Sequence, residues 1–478
     1  MSSMDTYCSP LSSRYASHEM SHIFSPQFKF TTWRKLWVAL ASAQGSLGLP
    51  ITEAQIHSLE QAIGKVDITR AEELEKTFRH DVMAHIHAYG EQCPDAKGII
   101  HLGATSCYVT DNTDLIQCQE GLKLLRNKMV QALRHLNTFA RQHSHLACLS
   151  YTHLQAAQPT TVGKRACLWA QDLLLDLHSI EHTLHEIRFL GVKGATGTQA
   201  SFLTLFEGNH DKVKKLDFLV AKKMGFGRTL SISGQTYTRK QDITILNALT
   251  SFAASSHKCA TDIRLLSHLK EIEEPFSSTQ VGSSAMPYKR NPMRSERICG
   301  IARFLISLGQ NPLYTEATQW LERTLDDSAN RRLYIPEAFL AADAILNLLC
   351  NITENLIVHP KMITKHLNEE LPFLATEHIL MEAVKKGQDR QQIHENLRIH
   401  SIESGKRVKE EALPCDLFER IANDPAMGLS RQELNAIAHV ENFTGRAAEQ
   451  TLEFLDEEVA PILKKYAEMK ALDCKISI

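Results

Sequence analysis

Residues 115–139 read LIQCQEGLKLLRNKMVQALRHLNTF, and the spacing of the apolar side chains in this stretch decides the expected fold. The apolar positions recur at alternating intervals of three and four: Leu115, Cys118, Leu122, Leu125, Met129, Ala132, Leu136 and Phe139. A repeat of this kind is typical of a long helix that buries one stripe against other helices. We therefore expect a helical bundle around this segment.

The pattern returns further along the chain. A second seam runs through Leu173, Leu177, Ile180, Leu184 and Ile187. Further helical patterns lie near residues 242–270, 297–309 and 335–357, whereas strand signals are sparse, with 98–102 as a candidate short strand. These features predict an all-α protein with a central bundle of long helices.

We predict three domains, with boundaries near residues 105 and 358, a number that suits 478 residues. The segment 1–105 forms an N-terminal helical domain with helical patterns at 33–47 and 72–89. The segment 106–358 carries the bundle. The segment 359–478 contains shorter helices and ends in an acidic amphipathic stretch at 447–466.

The composition is that of an ordinary globular protein. Lys and Arg (53) nearly balance Asp and Glu (55), so nucleic acid or an acidic membrane is not the default partner. The 11 cysteines include no CxxC pair, which favours free thiols in a reducing compartment. Neither a secretory signal nor a run of about 18 apolar residues is apparent, so we expect a cytoplasmic protein.

Residues 281–293, VGSSAMPYKRNPM, interrupt the helical pattern. Two prolines and a glycine disfavour a continuous helix, and Pro292 suits the first turn of a helix that begins at Met293. The loop would present hydroxyls and a lysine near a helix N-terminus, where an anion is favoured. On composition alone, a plain surface turn is a slightly better explanation.

Two polar segments precede the two seam helices. Residues 151–161 present His153 among amides and hydroxyls, and a structural role is about as plausible as a catalytic one. Residues 102–112 present Thr105 and Ser106, and the alternative role of this segment is helix capping by the Asp-Asn pair at its end.

A third polar segment contains Arg79, His80 and Asp81 beside a helical pattern. His80, His85 and His87 lie close together in sequence. However, spacings of five and two do not place three ligands on one helical face, and no HExxH pattern is present. We therefore expect no metal site here.

The segment 322–332 concentrates Arg323, Arg331 and Arg332 around Ser328. Guanidinium groups beside a hydroxyl suit a phosphate or carboxylate. Taken by itself, the segment is also explained by a helix face on which these arginines pair with the neighbouring aspartates.

Taken together, the segments resemble the fumarase/aspartase superfamily. Residues 282–292, GSSAMPYKRNP, match its signature GSSxMPxKxNP at every fixed position, and the regions around Thr105-Ser106 and Thr152-His153 resemble its other two characteristic regions in the expected order. The resemblance covers essentially the whole chain. Further stretches look like the animal-type branch that acts on succinylated purine nucleotides: Arg14-Tyr15, Arg79-His80-Asp81, Ser233 to Arg239 and Arg323 to Arg332.

The resemblance implies an all-α homotetramer with a multi-helix core, in which three subunits contribute to each active site. It also implies a carbon–nitrogen lyase of purine biosynthesis that needs no cofactor and no metal. Its substrates would be adenylosuccinate and the succinylated aminoimidazole carboxamide ribonucleotide. Fumarate would leave by β-elimination, giving AMP or the aminoimidazole carboxamide ribonucleotide.

The resemblance further implies roles for five residues. Ser283 would take the proton as general base, with Lys289 stabilising its alkoxide, and His153 would protonate the leaving nitrogen as general acid. His80 would support the substrate, and Glu296 would fix the loop or pair with a histidine. The sequence itself does not decide which of Ser283 and His153 is the base.

The remaining matched positions are expected to bind substrate. The phosphate and its surroundings would contact Arg14, Tyr15, Arg297, Arg323, Ser328 and Arg332. The succinyl carboxylates would contact Thr105, Ser106, Gln235 and Asn291. Other expected contacts are Arg79, His80, Asp81, Ser283 and Lys289.

Two alternatives remain. Argininosuccinate lyase, or another fumarate-forming lyase, would share the signature but would not need Arg323 and Arg332 beside Ser328. A non-catalytic structural protein on the same scaffold would be free to lose its acid or base, yet Ser283 and His153 are both present.

Overall fold

The computed structural model describes residues 5–276, 280–470 and 472, and the chain is mainly α-helical, as predicted. Residues 1–4, on which the expectation about a secretory signal partly depends, lie outside these ranges. The N-terminal segment begins with a π-helical turn at Leu11–Tyr15. It continues with α1 (His18–Ile23), α2 (Pro26–Ser46), α3 (Glu53–Gln61), α4 (Ile68–Phe78), α5 (Asp81–Gln92) and a 3-10 turn at Pro94–Ile99.

Two expectations for this segment are corrected. The pattern at 72–89 is not one helix, because Arg79 takes a left-handed conformation (φ 53°) that ends α4, and His80 caps α5 by accepting the Met83 N–H. The proposed strand at 98–102 is wrong, since this stretch begins in the 3-10 turn and continues as a turn. Local turn geometry therefore overrides the apolar pattern at both places.

The middle of the chain carries the long helices. They are α6 (Ser106–Gln142), α7 (Val162–Glu186), α8 (Ala200–Leu205), α9 (His210–Lys223), α10 (Lys240–His268), α11 (Met293–Leu308), α12 (Asn311–Ala317) and α13 (Asp326–Glu354). The predicted seam of 115–139 is confirmed, because all eight of its apolar side chains are buried on α6. This helix packs against α7 and α13, and α10 packs against α7, α11 and α13.

The start of α6 differs from the capping expectation. Thr105 is the residue that precedes the helix, so Asp111 and Asn112 lie inside it and cannot cap it. Both are buried: Asp111 pairs with Arg239, and the Asn112 amide donates to the carbonyl of Gly191 at 3.0 Å.

A β-hairpin that the sequence did not predict joins α6 to α7. Its antiparallel strands are β1 (Ala147–Thr152) and β2 (Gln155–Thr161), and they leave a two-residue turn at His153 and Leu154. A smaller antiparallel pair, β3 (Ile272–Glu273) and β4 (Ile357–Val358), ties the end of α10 to the chain after α13.

The C-terminal segment consists of shorter helices, as predicted. They are α14 (Pro360–Leu374), α15 (Thr376–Lys385), α16 (Arg390–Glu410), α17 (Leu417–Asn423), α18 (Arg431–Ile437), α19 (Ala447–Phe454) and α20 (Ala460–Lys465). The 3-10 turns Pro425–Met427 and Val440–Phe443 and a π-helical turn at Leu455–Val459 lie between them. A separate hydrophobic cluster lies within 371–443, whereas α19 and α20 pack back on α7 and α6.

Helix α13 is apolar enough, and at 29 residues long enough, to cross a membrane by composition alone, with a mean hydropathy of 1.5 in its most apolar window. The sequence analysis noted no such run. In the fold, 83% of that window is buried against the other bundle helices, which accounts for its composition.

A network of buried ion pairs joins α6, α10 and α13. The Arg239 guanidinium contacts Asp111 at 2.8 Å and Asp327 at 2.6 Å, and Arg331 Nε contacts Asp242 at 2.7 Å. Burial raises the pKa of Asp242, but the two arginines outweigh it and hold that pKa below its usual value. Each charge therefore depends on its partner, because an unpaired charge in a bundle core is strongly unfavourable.

We predict that Arg331→Met lowers the free energy of unfolding by about 3–5 kcal/mol, the usual cost of leaving a buried carboxylate unpaired. Urea denaturation followed by circular dichroism measures this. Arg398→Met is the matched control, because its pair with Glu395 on α16 is exposed and its loss should leave the midpoint nearly unchanged. Equal effects of the two changes would contradict the account.

We also predict a pH dependence from His85, which stacks on Phe30 at 3.8 Å between ring centres. Burial, and then Arg34, lower its pKa to about 4 from 6.5. The unfolded chain therefore takes up this proton at higher pH than the folded chain, and up to about 3 kcal/mol of stability is lost as the pH falls from 6.5 to 4.

Substituting His85→Phe keeps the ring and removes the titration, so the free energy of unfolding should fall less steeply across this pH window. The exposed His57→Phe serves as the control for replacing a histidine by phenylalanine. If His85→Phe leaves the slope unchanged, the His85 ring of the unsubstituted protein takes up its proton at the same pH in the folded and unfolded states, which would contradict the prediction.

Candidate active site

A cavity of about 390 Å³ lies among α2, α6, α13 and the junction of α4 and α5. Seven of the residues predicted from the sequence line it: His80, Asp81, Ser106, Gln235, Arg323, Ser328 and Arg332. These residues are up to 252 positions apart in sequence, from 80 to 332. The fold of a single chain therefore brings together seven of the fifteen residues predicted to bind substrate.

Two helix N-termini meet at this cavity. His80 precedes α5, and its Nε2 lies 3.4 Å from the hydroxyl of Ser106 in the first turn of α6. Thr105, which precedes α6, makes no side-chain capping bond. Unpaired N–H groups and the helix dipoles favour an anion at such ends.

The segment before α10 forms another wall. The Gln235 amide donates to the carbonyl of Ala195 at 2.9 Å, and its backbone N–H donates to the carbonyl of Glu322 at 3.0 Å. A Cβ on Gly234 would lie 2.6 Å from that same carbonyl oxygen, so only glycine permits this close approach. The contact brings Gln235 next to Arg323.

The arginines of 322–332 fall into two groups. Arg331 is buried and engaged by Asp242 and by Asp114 at 2.9 Å, so it is structural. Arg323 contacts Asp327 at 2.7 Å yet remains partly exposed, and Arg332 is 61% exposed, 3.5 Å from Asp81. All three arginines therefore form ion pairs, and Arg323 and Arg332 are the two that also remain partly or largely exposed at the cavity.

The signature loop folds upon itself. The hydroxyl of Ser283 accepts the backbone N–H of Ala285 at 3.3 Å and that of Met286 at 3.1 Å. Asn291 donates to the carbonyl of Gly282 at 2.8 Å, and a Cβ on Gly282 would lie only 1.9 Å from the Lys289 carbonyl oxygen. Two N–H donors at one hydroxyl oxygen are the arrangement that stabilises negative charge on it.

A buried carboxylate that the sequence analysis did not single out fixes this loop. Glu274 is 4% exposed and accepts the N–H groups of Arg294 and Ser295, each at 3.0 Å. It thereby caps α11, which begins after Pro292 and has no capping side chain of its own. Burial raises the pKa of Glu274, although these hydrogen bonds oppose that shift. Glu274 ties the chain before the loop to the helix after it.

His153 lies at the exposed tip of the hairpin. It and Leu154 both have positive φ, 55° and 56°, which is the backbone of a type I′ turn. Neither residue is a glycine or asparagine, so the turn is strained by about 1–2 kcal/mol per residue. Strain kept at such a position points to a function for the side chain.

Another cationic group lies near the start of α11. Arg297 lies 5.3 Å and Arg14 5.9 Å from the ring centre of Tyr15. Glu296 is exposed one position before Arg297, and Arg79 is exposed at the end of α4. Of the described residues that line the cavity, none belongs to this cationic group, to the signature loop or to the hairpin.

The histidines considered as metal ligands point to different partners. His85 stacks on Phe30, and His87 stacks on Phe78 at 4.5 Å. Within residues 5–276, 280–470 and 472, no group of three or more His, Cys, Asp or Glu side chains is arranged to hold a metal ion.

The cavity also contains residues that sequence reasoning missed, namely Lys29, Thr110 and Asp114. Lys29 lies in α2 before the helical pattern noted at 33–47, and Asp114 lies inside α6 next to the start of its seam. No local motif marked them, because their neighbours in the cavity are distant in sequence.

Comparison with known proteins agrees with this architecture. A family model described as "Lyase" matches residues 16–306, and one described as "Adenylosuccinate lyase C-terminus" matches residues 372–454. Adenylosuccinate lyase of Schizosaccharomyces pombe is 50% identical over 474 residues, which cover 98% of each chain. That of Schistosoma mansoni is 49% identical over 480 residues and covers 100% of both chains.

Solved structures agree in fold. The 3-carboxy-cis,cis-muconate lactonizing enzyme from Pseudomonas putida has a TM-score of 0.82 at 21% identity, covering 94% of this chain and 99% of its own. A fumarate lyase from Mesorhizobium sp. BNC1 has a TM-score of 0.80 at 22% identity, covering 95% and 100%. At such identities the likeness shows the fold alone. By the full-length relatives and the two family models, the chain belongs to the adenylosuccinate lyase family of the fumarase/aspartase superfamily.

Proposed function

We propose that this chain removes fumarate from adenylosuccinate, giving AMP, and from the succinylated aminoimidazole carboxamide ribonucleotide, in purine nucleotide biosynthesis. The observation that carries this is the cavity in which Arg323, Ser328 and Arg332 lie with His80 and Ser106. Arginines and a hydroxyl suit a phosphate, and two helix N-termini suit carboxylates. The substrate has both kinds of anion.

The chemistry requires a base, an acid and positive potential. The proton to be removed is on the carbon beside a carboxylate, and its loss places a second negative charge on that carboxylate. We assign Ser283 as the base. The N–H groups of Ala285 and Met286 support this, because they stabilise an alkoxide, and Lys289 on the same loop adds positive charge.

We assign His153 as the acid that protonates the leaving nitrogen. Its exposed position on a strained turn supports this role, because the ring is free to reach a substrate held elsewhere. Asn291 would orient the reacting carboxylate, and Glu296 would steady the loop or a histidine.

We further propose that the chain acts as a homotetramer, with each site shared by three subunits. Two observations support this. The cavity of one subunit includes neither His153 nor Ser283. The long helices also expose large apolar side chains: Leu168 and Leu175 on α7, Leu265 on α10, Phe304 and Ile306 on α11 and Leu333 on α13. Packing of these faces against other copies would bury them and complete the site.

The domain division at 105 and 358 remains a proposal, as does a cytoplasmic location. The cluster within 371–443 supports a separate C-terminal unit, although α19 and α20 return to the bundle. None of the residues that line the cavity comes from this unit, which supports a role in packing and assembly.

Argininosuccinate lyase activity, the alternative considered from the sequence, is not favoured by the full-length relatives, which are adenylosuccinate lyases. Release of fumarate and AMP from adenylosuccinate by the purified protein, without added metal, tests between the two activities. Turnover of argininosuccinate instead would mean that the phosphate-binding role given to Arg323 and Arg332 is wrong. A folded protein inactive on both substrates would favour a scaffold without catalysis.

We predict that Ser283→Ala abolishes measurable turnover of adenylosuccinate while AMP still binds. The loss of a general base is worth about 10²- to 10⁴-fold in kcat. Steady-state fumarate release measures the rate, and calorimetry with AMP measures the binding. The neighbouring Ser284→Ala is the control and should retain activity. Normal turnover by Ser283→Ala would remove it from the base role.

We predict that His153→Ala is also inactive, but that mixing it with Ser283→Ala restores activity. If the two residues reach one site from different subunits, some sites in mixed tetramers receive both native side chains. The variants should be mixed under conditions that allow subunit exchange, and each variant mixed with itself is the control. Activity that stays absent in tetramers shown to be mixed would mean that one subunit supplies both groups.

A further inference from the structure

A cation without an assigned role lies in the cavity wall. Lys29 is in the second turn of α2 and lines the cavity together with Asp81, Asp114 and Arg332. Its side chain reaches the cavity from a helix that contributes none of the residues assigned above. It therefore adds a positive charge from a new direction.

The course of the side chain is fixed by two aromatic rings. The ammonium lies 5.4 Å from the ring centre of Phe30 and 5.2 Å from that of Trp33. Both distances are within the range of a cation–π contact. The group is consequently held at the cavity rather than extended into solvent.

This ammonium has no carboxylate partner in the described parts of the chain, by the 4.0 Å limit for an ion pair. Three carboxylates have charges that act on it: Asp114 contacts Arg331 at 2.9 Å, Asp81 lies 3.5 Å from Arg332, and Glu75 is beyond ion-pair distance of Lys29. Burial lowers the pKa of Lys29, with Asp114 opposing and Arg332 reinforcing that shift. A partly dehydrated cation without a counter-ion is unfavourable, and an arriving anion would offset that cost.

We propose that Lys29 binds an oxyanion of the ligand in this cavity. The inference rests on the proposed function for the identity of the ligand, which offers a phosphate and two succinyl carboxylates. Phosphate and carboxylate groups both carry negative charge and several acceptor oxygens. A lysine can bind each of them, because its ammonium is a point charge with three hydrogen-bond donors. A purely structural lysine would instead only balance the charges of Asp81 and Asp114.

The test compares Lys29→Met with Lys35→Met, which removes an exposed lysine from the same helix. Calorimetry on the assembled proteins uses three probes: AMP, adenosine, which lacks the phosphate, and fumarate. Lys29→Met should weaken AMP or fumarate by about 10- to 100-fold, the worth of a charge-assisted hydrogen bond, and leave adenosine unchanged. Weaker AMP assigns the phosphate, and weaker fumarate assigns a carboxylate. Lys29→Arg should restore most of the affinity.

Two results would overturn the inference: unchanged affinity for all the probes, or equal weakening of AMP and adenosine. Should Lys29→Met fail to assemble, Lys29→Gln carries the same comparison. Because these are binding measurements, they are separate from turnover. A protein that binds AMP through Lys29 but does not cleave adenylosuccinate would refute the proposed function and leave this inference standing.

Discussion

The structure depends most on the buried ion pairs that join three bundle helices beneath the cavity. Arg239 and Arg331 hold aspartates of α6, α10 and α13 in one place, and charges so deeply buried tolerate few other arrangements. Asp111, Arg239 and Arg331 also line the cavity, so the same contacts form its floor. The link from Arg239 through Asp327 to Arg323 connects that floor to a side chain proposed to bind substrate. Stability and site geometry therefore have a common origin.

Above this floor, the candidate catalytic groups occupy distinct parts of the subunit. The cavity holds the cations and helix N-termini, the loop fixed by Glu274 holds Ser283, and the hairpin tip holds His153. Ser283 is half-buried and His153 is exposed. A group that transfers a proton has to be shielded from water during catalysis, because water would screen the charges that stabilise the transition state. The proposed assembly of several subunits would answer this need and would at the same time cover the apolar helix faces.

The sequence predicts the bundle well because heptad seams depend only on local periodicity, and the seam of α6 is buried along its full length. It also identifies the signature loop, whose residues are contiguous. Prediction from the sequence fails where the local residue pattern does not determine the structure. The hairpin turn at His153 and Leu154 lacks the glycine or asparagine that is typical of such turns. Arg79 ends α4 with a positive φ, which is uncommon for arginine and so could not be predicted from the residue type. Lys29 and Glu274 were missed because only the tertiary fold gives them their surroundings.

The central claim is that the cavity of one subunit holds the nucleotide while other subunits supply the acid and the base. A crystal structure of the Ser283→Ala protein with bound adenylosuccinate tests it most directly. The account predicts the nucleotide phosphate among Arg323, Ser328 and Arg332, with residue 283 of a second subunit and His153 of a third near the bond to be broken. A nucleotide bound outside this cavity, or a site completed by one subunit alone, would contradict it.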